Sequence, residues 1–227
     1  MSEATRPAFY ALAPGGWRDY VTLLHPPYTA WHLSYVVLGA AIAPHWRPGI
    51  LGLALAAFFL GMGVGAHALD ELRGRPLQTR IGDPVLAALG AVSLIAATAI
   101  GVVAALQTTL WLLAFVAGGA FVAAAYNLEL FGGRFHGMLW FALGWGALPV
   151  LATYVAVAES IRAEAIAAAG FAALVSCVQR VLSTPVRRQR REEGALAASG
   201  REAELALRLL AAAMVALAVA LVLVRVT

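Results

Sequence analysis

The chain contains no lysine, a single cysteine and little charge of either sign. Only 12% of its 227 residues are charged and 62% are hydrophobic, whereas a typical soluble domain has about 25% charged and about 45–50% apolar residues. These proportions exclude a water-soluble fold, a disordered chain and a disulfide scaffold. The absence of lysine excludes Schiff-base enzymes, and the lone Cys177 excludes an internal disulfide or a CxxC metal motif. The composition is that of an integral membrane protein.

Long apolar segments account for most of the sequence. A bilayer core about 30 Å thick requires about 20 apolar residues in each spanning helix. With that window the sequence predicts an all-α, polytopic membrane helix bundle. The spans of its about seven transmembrane helices are residues 28–46, 49–69, 84–106, 109–128, 137–158, 163–182 and 203–225.

The arginines are distributed unevenly between the two sides of the predicted bundle. With the N-terminus in the cytoplasm, thirteen of the 16 arginines lie on the inner side, and only Arg47, Arg162 and Arg225 lie outside. Because cytoplasmic loops carry the excess of positive charge, we expect the N-terminus inside and the C-terminus outside. We expect a multi-pass protein of a bacterial or archaeal cytoplasmic membrane. This placement explains the net charge of +4 without a nucleic-acid partner.

The segment before the first predicted span differs from a cleavable signal peptide. Pro14 and Asp19 stand where such a peptide requires an apolar core. We therefore expect residues 1–27 to form a cytoplasmic, interfacial N-terminal segment, with Trp17 near the lipid headgroups. Residues 28–227 then form a single transmembrane helical domain that contacts membrane lipids, and a homo-oligomer is compatible with this organisation.

A charged cluster follows the second predicted span. Charged side chains at membrane depth are costly and are therefore candidates for function. His67, Asp70 and Glu71 share one helix face at spacings i, i+3 and i+4. We predict that these three are catalytic and that Asp70 and Glu71 bind Mg²⁺, which prefers carboxylate and water ligands. Arg73 and Arg75 are predicted to hold phosphate. The alternative is a helix end whose charges meet water and headgroups.

Two further polar clusters follow the fourth and sixth predicted spans. Gln179 and Arg180 are predicted to face the bundle interior and, with Arg187, to bind the phosphate of a substrate. The alternative is a basic loop that touches anionic lipid. The residues predicted to line a cavity are His32, Tyr35, Tyr126, Asn127 and Tyr154. No specific role is predicted for the histidines near the interfaces, His25, His45 and His136.

The order of these motifs resembles the UbiA superfamily of intramembrane prenyltransferases over roughly residues 23–190. The family's opening helix is similar to His25-Pro26-Pro27-Tyr28-Thr29. Its first aspartate-rich motif resembles Ala66-His67-Ala68-Leu69-Asp70 followed by Arg75-Pro76-Leu77, and its fourth and fifth helices resemble Tyr126, Gly144, Gly146, Pro149 and Tyr154. Two departures stand out: Ala66 and His67 replace the family's asparagine and first aspartate, and residues 179–187 contain no carboxylate.

The resemblance implies a UbiA-like bundle in which acidic loops bind Mg²⁺ and hold an isoprenyl diphosphate. After the diphosphate leaves, an aromatic or lipid acceptor attacks the allylic carbon. Asp70 matches the family's acid, and Glu71 adds a second carboxylate. Arginine charge then replaces part of the missing acidic motif, and the diphosphate would be held by Arg73, Arg75, Gln179, Arg180 and Arg187. Two alternatives stay open: a non-catalytic relative that binds a prenyl lipid or a partner, and a seven-helix transporter or haem protein.

Overall fold

The computed structural model describes residues 6–227, and these residues form helices and no strand. A short helix, α1 (Trp17–Leu23), precedes seven longer ones. These are α2 (Pro26–Ile42), α3 (Pro48–Gly74), α4 (Asp83–Gln107), α5 (Leu112–Asn127), α6 (Met138–Ala158), α7 (Ala163–Glu192) and α8 (Ala198–Val226). Residues 1–5 of the predicted N-terminal segment lie outside the described residues.

Five of these helices, α3, α4, α6, α7 and α8, are long and apolar enough to cross a membrane. Each predicted span coincides with one helix, but α2 has only 17 residues and α5 only 16. At 1.5 Å per residue these two measure about 24–26 Å, which is less than the roughly 30 Å of a bilayer core. The prediction of a membrane helical bundle is confirmed, and the count of seven spans stays a prediction.

Three helices end at positions that differ from the predicted ones. The first predicted span reaches residue 46, but α2 ends at Ile42 because Pro44 favours an extended conformation for the preceding Ala43, whose ψ is 153°. In contrast, α7 continues past residue 182 and through Pro185 to Glu192. Helix α3 continues to Gly74, where the following residue turns to a left-handed conformation. These extensions carry the charged ends of α3 and α7 beyond the apolar core.

Helix α2 lies at the centre of the bundle and packs against α3, α6, α7 and α8. Its Trp31 and Tyr35 are fully buried, and Trp31 Nε1 donates a 2.7 Å hydrogen bond to Tyr35 Oη. Glycines allow close backbone approach on both sides of α6. A Cβ atom on Gly39 would collide with the backbone of α6, and one on Gly146 would lie 2.6 Å from a backbone oxygen of α7.

Helices α3 and α6 each contain a glycine-rich π-helical stretch, at Phe59–Ala66 and Ala142–Ala147. The i→i+5 bonding in such stretches differs from the α-helical pattern and often accompanies functional sites. His67 Nδ1 donates to a carbonyl of the first stretch over 3.0 Å. His32 Nδ1 donates to the carbonyl of Trp145 in the second over 2.9 Å. Each π-helical stretch therefore orients one buried histidine.

Candidate functional site

Most of the predicted site residues lie at one end of the bundle, which we call the arginine-rich end. It comprises residues 6–24, the loop of residues 75–82, and the adjoining ends of α2, α3, α5 and α7. Three contacts join these parts. The backbone N–H of Arg80 donates to Asp19, Arg73 lies 3.9 Å from Glu129, and Arg180 donates to the hydroxyl of Tyr126.

Glu71 holds the loop that follows α3. Its side chain is completely buried. One carboxylate oxygen accepts a 2.9 Å hydrogen bond from the N–H of Leu77, and the other accepts bonds of 2.8 and 2.9 Å from the N–H and hydroxyl of Thr79. Both oxygens are thus occupied by protein donors. The structure gives Glu71 an architectural role, and its predicted metal-binding and catalytic role stays a prediction.

Asp19 ties the N-terminal segment to the same loop. The side chain is 3% exposed. Oδ1 accepts a 2.9 Å hydrogen bond from the N–H of Gly15, and Oδ2 accepts one of 2.9 Å from the N–H of Arg80. Together with Glu71, Asp19 fixes the loop of residues 75–82 from two sides. The two buried carboxylates of this region therefore stabilise backbone.

The two arginines predicted to bind phosphate after α3 are partly engaged. Arg75 pairs with Asp83 and donates a 2.6 Å hydrogen bond to the carbonyl of Ile81. Arg73 is more exposed and lies 3.9 Å from Glu129 of the α5–α6 loop. Arg75 therefore braces its own loop, whereas Arg73 retains most of its donors for another partner.

The carboxylates of this end fit a magnesium ion poorly. Glu71 uses both of its oxygens within the protein. Asp70 is half-buried, and the charges that act on it are those of Arg187, His136, Glu71 and Glu129. Among residues 6–227, no group of three His, Cys, Asp or Glu side chains could hold a metal ion.

A histidine pair lies beneath the N-terminal segment. The rings of His25 and His67 stack at a centroid distance of 4.0 Å and an angle of 14°. Tyr10 Oη lies 2.8 Å from His25 Nδ1. Burial raises the pKa of Tyr10 well above its ordinary value. Burial, followed by the proximity of His67 and Arg187, lowers the pKa of His25 well below its ordinary value. Both groups are therefore neutral at neutral pH.

Arg180 lies among aromatic rings at the border of the apolar core. It donates to the hydroxyl of Tyr126, and its guanidinium carbon lies 5.7 Å from the Tyr126 ring centre and 5.5 Å from that of Phe141. Tyr126 itself stacks with His136 at 4.4 Å and contacts Trp145 at 4.5 Å. This aromatic group can stabilise a positive charge through its ring faces.

The charge of Arg187 influences several groups of this cluster. Arg187 lies about two helical turns beyond Arg180 on α7. Its positive charge acts on Tyr10, His25, Asp70 and Tyr126. Within residues 6–227 it forms neither a hydrogen bond nor an ion pair. Its five N–H donors are therefore available to an anion.

Gln179 also has an unpaired hydrogen-bond acceptor near this end. The residue is 4% exposed, and its Oε1 has no hydrogen-bond partner among the described residues. Buried polar atoms in native proteins are nearly always paired. The prediction that Gln179 faces the bundle interior agrees with its burial, and its role in binding stays a prediction.

An apolar cavity of about 120 Å³ lies between α3, α4, α5 and α6. Near the arginine-rich end it is lined by Met62, Ala66 and Trp145, and it extends to Leu112 at the opposite end of the bundle. Met62, Ala66 and Trp145 also pack in one cluster with Tyr126. Tyr126 therefore separates the polar cluster from the apolar cavity.

The five residues predicted to line a cavity are not among the lining residues of this apolar cavity, and their predicted role stays a prediction. His32 and Tyr35 lie in the core around α2, and Asn127 Nδ2 donates to a carbonyl of its own helix over 2.7 Å. Tyr154 lies near the opposite end, where its hydroxyl donates to Glu164 over 2.5 Å. Tyr126 packs in one cluster with Met62, Ala66 and Trp145, which line the cavity. The walls are mainly aliphatic and small side chains, together with Phe58, Phe115 and Trp145.

Three residues of the arginine-rich end escaped the sequence-based prediction. Tyr10 and Asp19 lie in the N-terminal segment, where the sequence predicts an interfacial role, and His25 was assigned none. The only local signal is that His25 precedes two prolines, which favour the start of a helix. Each of the three has a partner at least 15 residues away in sequence, Tyr10 for His25 and Arg80 for Asp19, so spacing could not identify them.

Comparison with known proteins adds no relative. No family model, no curated protein and no solved structure matches the chain. The functional conclusion therefore depends on the geometry of the arginine-rich end and of the apolar cavity beside it.

Proposed function

We propose that the protein is a UbiA-like intramembrane prenyltransferase, which transfers an isoprenyl group from an isoprenyl diphosphate to an aromatic or lipid acceptor. One observation carries the proposal: Arg180 donates to Tyr126, and Tyr126 packs with Met62, Ala66 and Trp145, which line the apolar cavity. A ligand with a phosphate head and a hydrocarbon tail matches this combination of positive charge and apolar space.

The arginines supply the charge that a departing diphosphate requires. A guanidinium forms paired hydrogen bonds with phosphate oxygens, and the developing negative charge on those oxygens is stabilised by donors that are already in place. Arg187 has free donors. Arg180 lies about two turns earlier on the same helix and donates one hydrogen bond to Tyr126. Arg73 extends from the end of α3 on the same side of the bundle.

The aromatic group suits the allylic cation that is left when the diphosphate departs. The rings of Tyr126 and Phe141 already hold a guanidinium at 5.7 and 5.5 Å. Ring faces attract a cation more strongly where water is excluded. The apolar walls of the adjoining cavity exclude water and so protect the cation from unproductive hydrolysis. His67 and Asp70 stay candidate catalytic residues at the polar side of this group.

The test is binding and cleavage of farnesyl diphosphate by the purified full chain in lipid nanodiscs. The wild type is expected to bind the labelled diphosphate and to release inorganic diphosphate. In Arg187→Gln, the loss of one charge-assisted phosphate contact is expected to weaken binding about 10–100-fold. The matched control is Arg191→Gln, an exposed arginine one turn further along α7, which should behave as the wild type does. Equal losses in the two variants would contradict the proposal.

A non-catalytic prenyl-lipid binder is the second candidate. The observation that favours it is that both oxygens of Glu71 accept hydrogen bonds from the loop after α3. Of the two neighbouring acids, this leaves Asp70 to assist catalysis. Such a protein would bind farnesyl diphosphate with the same dependence on Arg187 and would release no diphosphate. The cleavage half of the same experiment separates the two candidates.

A further inference from the structure

His25 combines an unfavourable backbone conformation with a buried side chain. Its φ of 47° lies in the left-handed region, which is uncommon for residues other than glycine, although histidine adopts it more often than most. The side chain is 9% exposed although the residue stands at the start of α2. Backbone strain of this kind concentrates at functional sites.

The two ring nitrogens of His25 have different surroundings. Nδ1 lies 2.8 Å from Tyr10 Oη, whereas Nε2 is buried and has no hydrogen-bond partner among residues 6–227. The titratable and charged groups that face the ring are Tyr10 from the N-terminal segment, His67 from α3, His32 from α2 and Arg187 from α7. Because buried polar atoms are nearly always paired, the free nitrogen marks a place for an atom of a ligand.

We infer that Nε2 of His25 accepts the proton that the acceptor loses during prenyl transfer, which makes His25 a catalytic residue of the proposed reaction. The inference rests on the proposed function and deepens it. The 2.8 Å contact between Tyr10 Oη and His25 Nδ1 accommodates the required tautomer, in which Nδ1–H donates to Oη and the lone pair is on Nε2. The acceptor class is then a compound with a hydroxyl group, a phenol or an alcohol.

The reaction balances without a further reactant. The bond between the allylic carbon and the diphosphate oxygen breaks, and its electron pair leaves with the diphosphate towards Arg187. A lone pair of the acceptor oxygen forms the new carbon–oxygen bond. The hydroxyl proton passes to Nε2 of His25 and later to water. The products are the prenyl ether and inorganic diphosphate.

A weakly basic imidazole is sufficient for this step. Burial lowers the pKa of His25 well below its ordinary value, so the ring is neutral and able to accept a proton at neutral pH. An acceptor oxygen that has bonded to the allylic carbon carries a positive charge and is strongly acidic. It therefore releases its proton even to a weak base, provided that the base is positioned within hydrogen-bond distance.

Access to Nε2 requires a shift of the N-terminal segment, because this atom is shielded from solvent. Such a shift would break polar contacts of residues 6–12. The N–H of Leu12 donates to Thr22 Oγ1 over 2.9 Å, Arg190 donates to the carbonyl of Arg6 over 3.1 Å, and Tyr10 contacts His25. Displacement of residues around Tyr10 would admit the acceptor to the ring.

The experiment uses His25→Gly in the full chain, in nanodiscs, with farnesyl diphosphate as donor and phenol or water as acceptor. Glycine adopts a φ of 47° without strain and leaves room for free imidazole. We expect binding of farnesyl diphosphate close to that of the wild type. Formation of farnesyl phenyl ether and farnesol should fall about 100-fold or more, and added imidazole should restore about a tenth or more of the rate. His45→Gln, at an exposed position, is the control and should leave product formation unchanged.

The outcomes separate this inference from the proposed function. If the wild type neither binds nor cleaves farnesyl diphosphate, the proposed function fails and the inference fails with it. If His25→Gly forms products at the wild-type rate, or if it loses donor binding together with transfer, His25 is not the proton acceptor and the proposed function is untouched. Loss of transfer without rescue by imidazole also overturns the inference.

Discussion

Glu71→Ala tests whether the carboxylate stabilises the loop after α3. Within residues 6–227, the substitution removes the acceptor of three buried donors, the N–H of Leu77 and the N–H and hydroxyl of Thr79. A buried donor left without its partner costs about 1–3 kcal/mol. Because the loop lies at the end of the bundle, water will reach some of these donors. We therefore expect the free energy of unfolding to fall by about 3–5 kcal/mol.

The assay is SDS-induced unfolding of the purified protein, combined with hydrogen exchange of the amides of Leu77 and Thr79. Both amides should lose their protection in Glu71→Ala. The matched control is Asp70→Asn, the neighbouring acid, for which we expect a change of less than about 1 kcal/mol. Unchanged stability and unchanged protection in Glu71→Ala would refute the architectural role and would return Glu71 to the metal-binding role predicted from the sequence.

Two further predictions concern packing and pH. Gly39→Ala and Gly146→Ala force a methyl group against neighbouring backbone and should each cost about 1–3 kcal/mol of unfolding free energy. Gly170→Ala, with open space at its Cβ position, should be neutral or slightly stabilising in the same SDS titration. The pKa of His25 is lowered on folding, so the unfolded chain binds the proton more tightly. Stability should be constant above about pH 6.5 and should fall below it by up to about 1.4 kcal/mol per pH unit. His25→Asn should show a smaller decline between pH 7 and pH 5, and an equal decline would contradict this assignment.

The helices themselves were largely predictable because each is a continuous apolar segment. The seven predicted spans all coincide with helices, and the errors lie at the ends. Pro44 shortens α2 for a local reason that the sequence shows. No such local signal predicts that α7 continues through Pro185 to Glu192. The residues of this extension are polar, so hydropathy does not show where the helix ends. That extension places Arg187 close enough to the polar cluster for its charge to act on His25 and Asp70.

The candidate site was predictable as a region and not as a set of roles. His67, Asp70, Arg180 and Arg187 do lie at one end of the bundle, as charged residues at the ends of apolar helices must. Glu71 shows the limit of spacing arguments, because its two oxygens are occupied by a loop that begins six residues later. Whether a carboxylate faces a ligand or its own backbone depends on how the loop folds.

The sequence by itself determined that this protein belongs in a membrane and where its helices approximately lie. Burial in a bilayer requires long apolar segments, and the hydropathy of each segment is a local property. Only the tertiary structure decided which polar side chains meet. The stacking of His25 on His67, the bond from Tyr10 and the position of Tyr126 between Arg180 and the apolar cavity join residues that are 15 to 54 positions apart. Such contacts depend on helix rotation and on close packing at glycines, which no local pattern specifies.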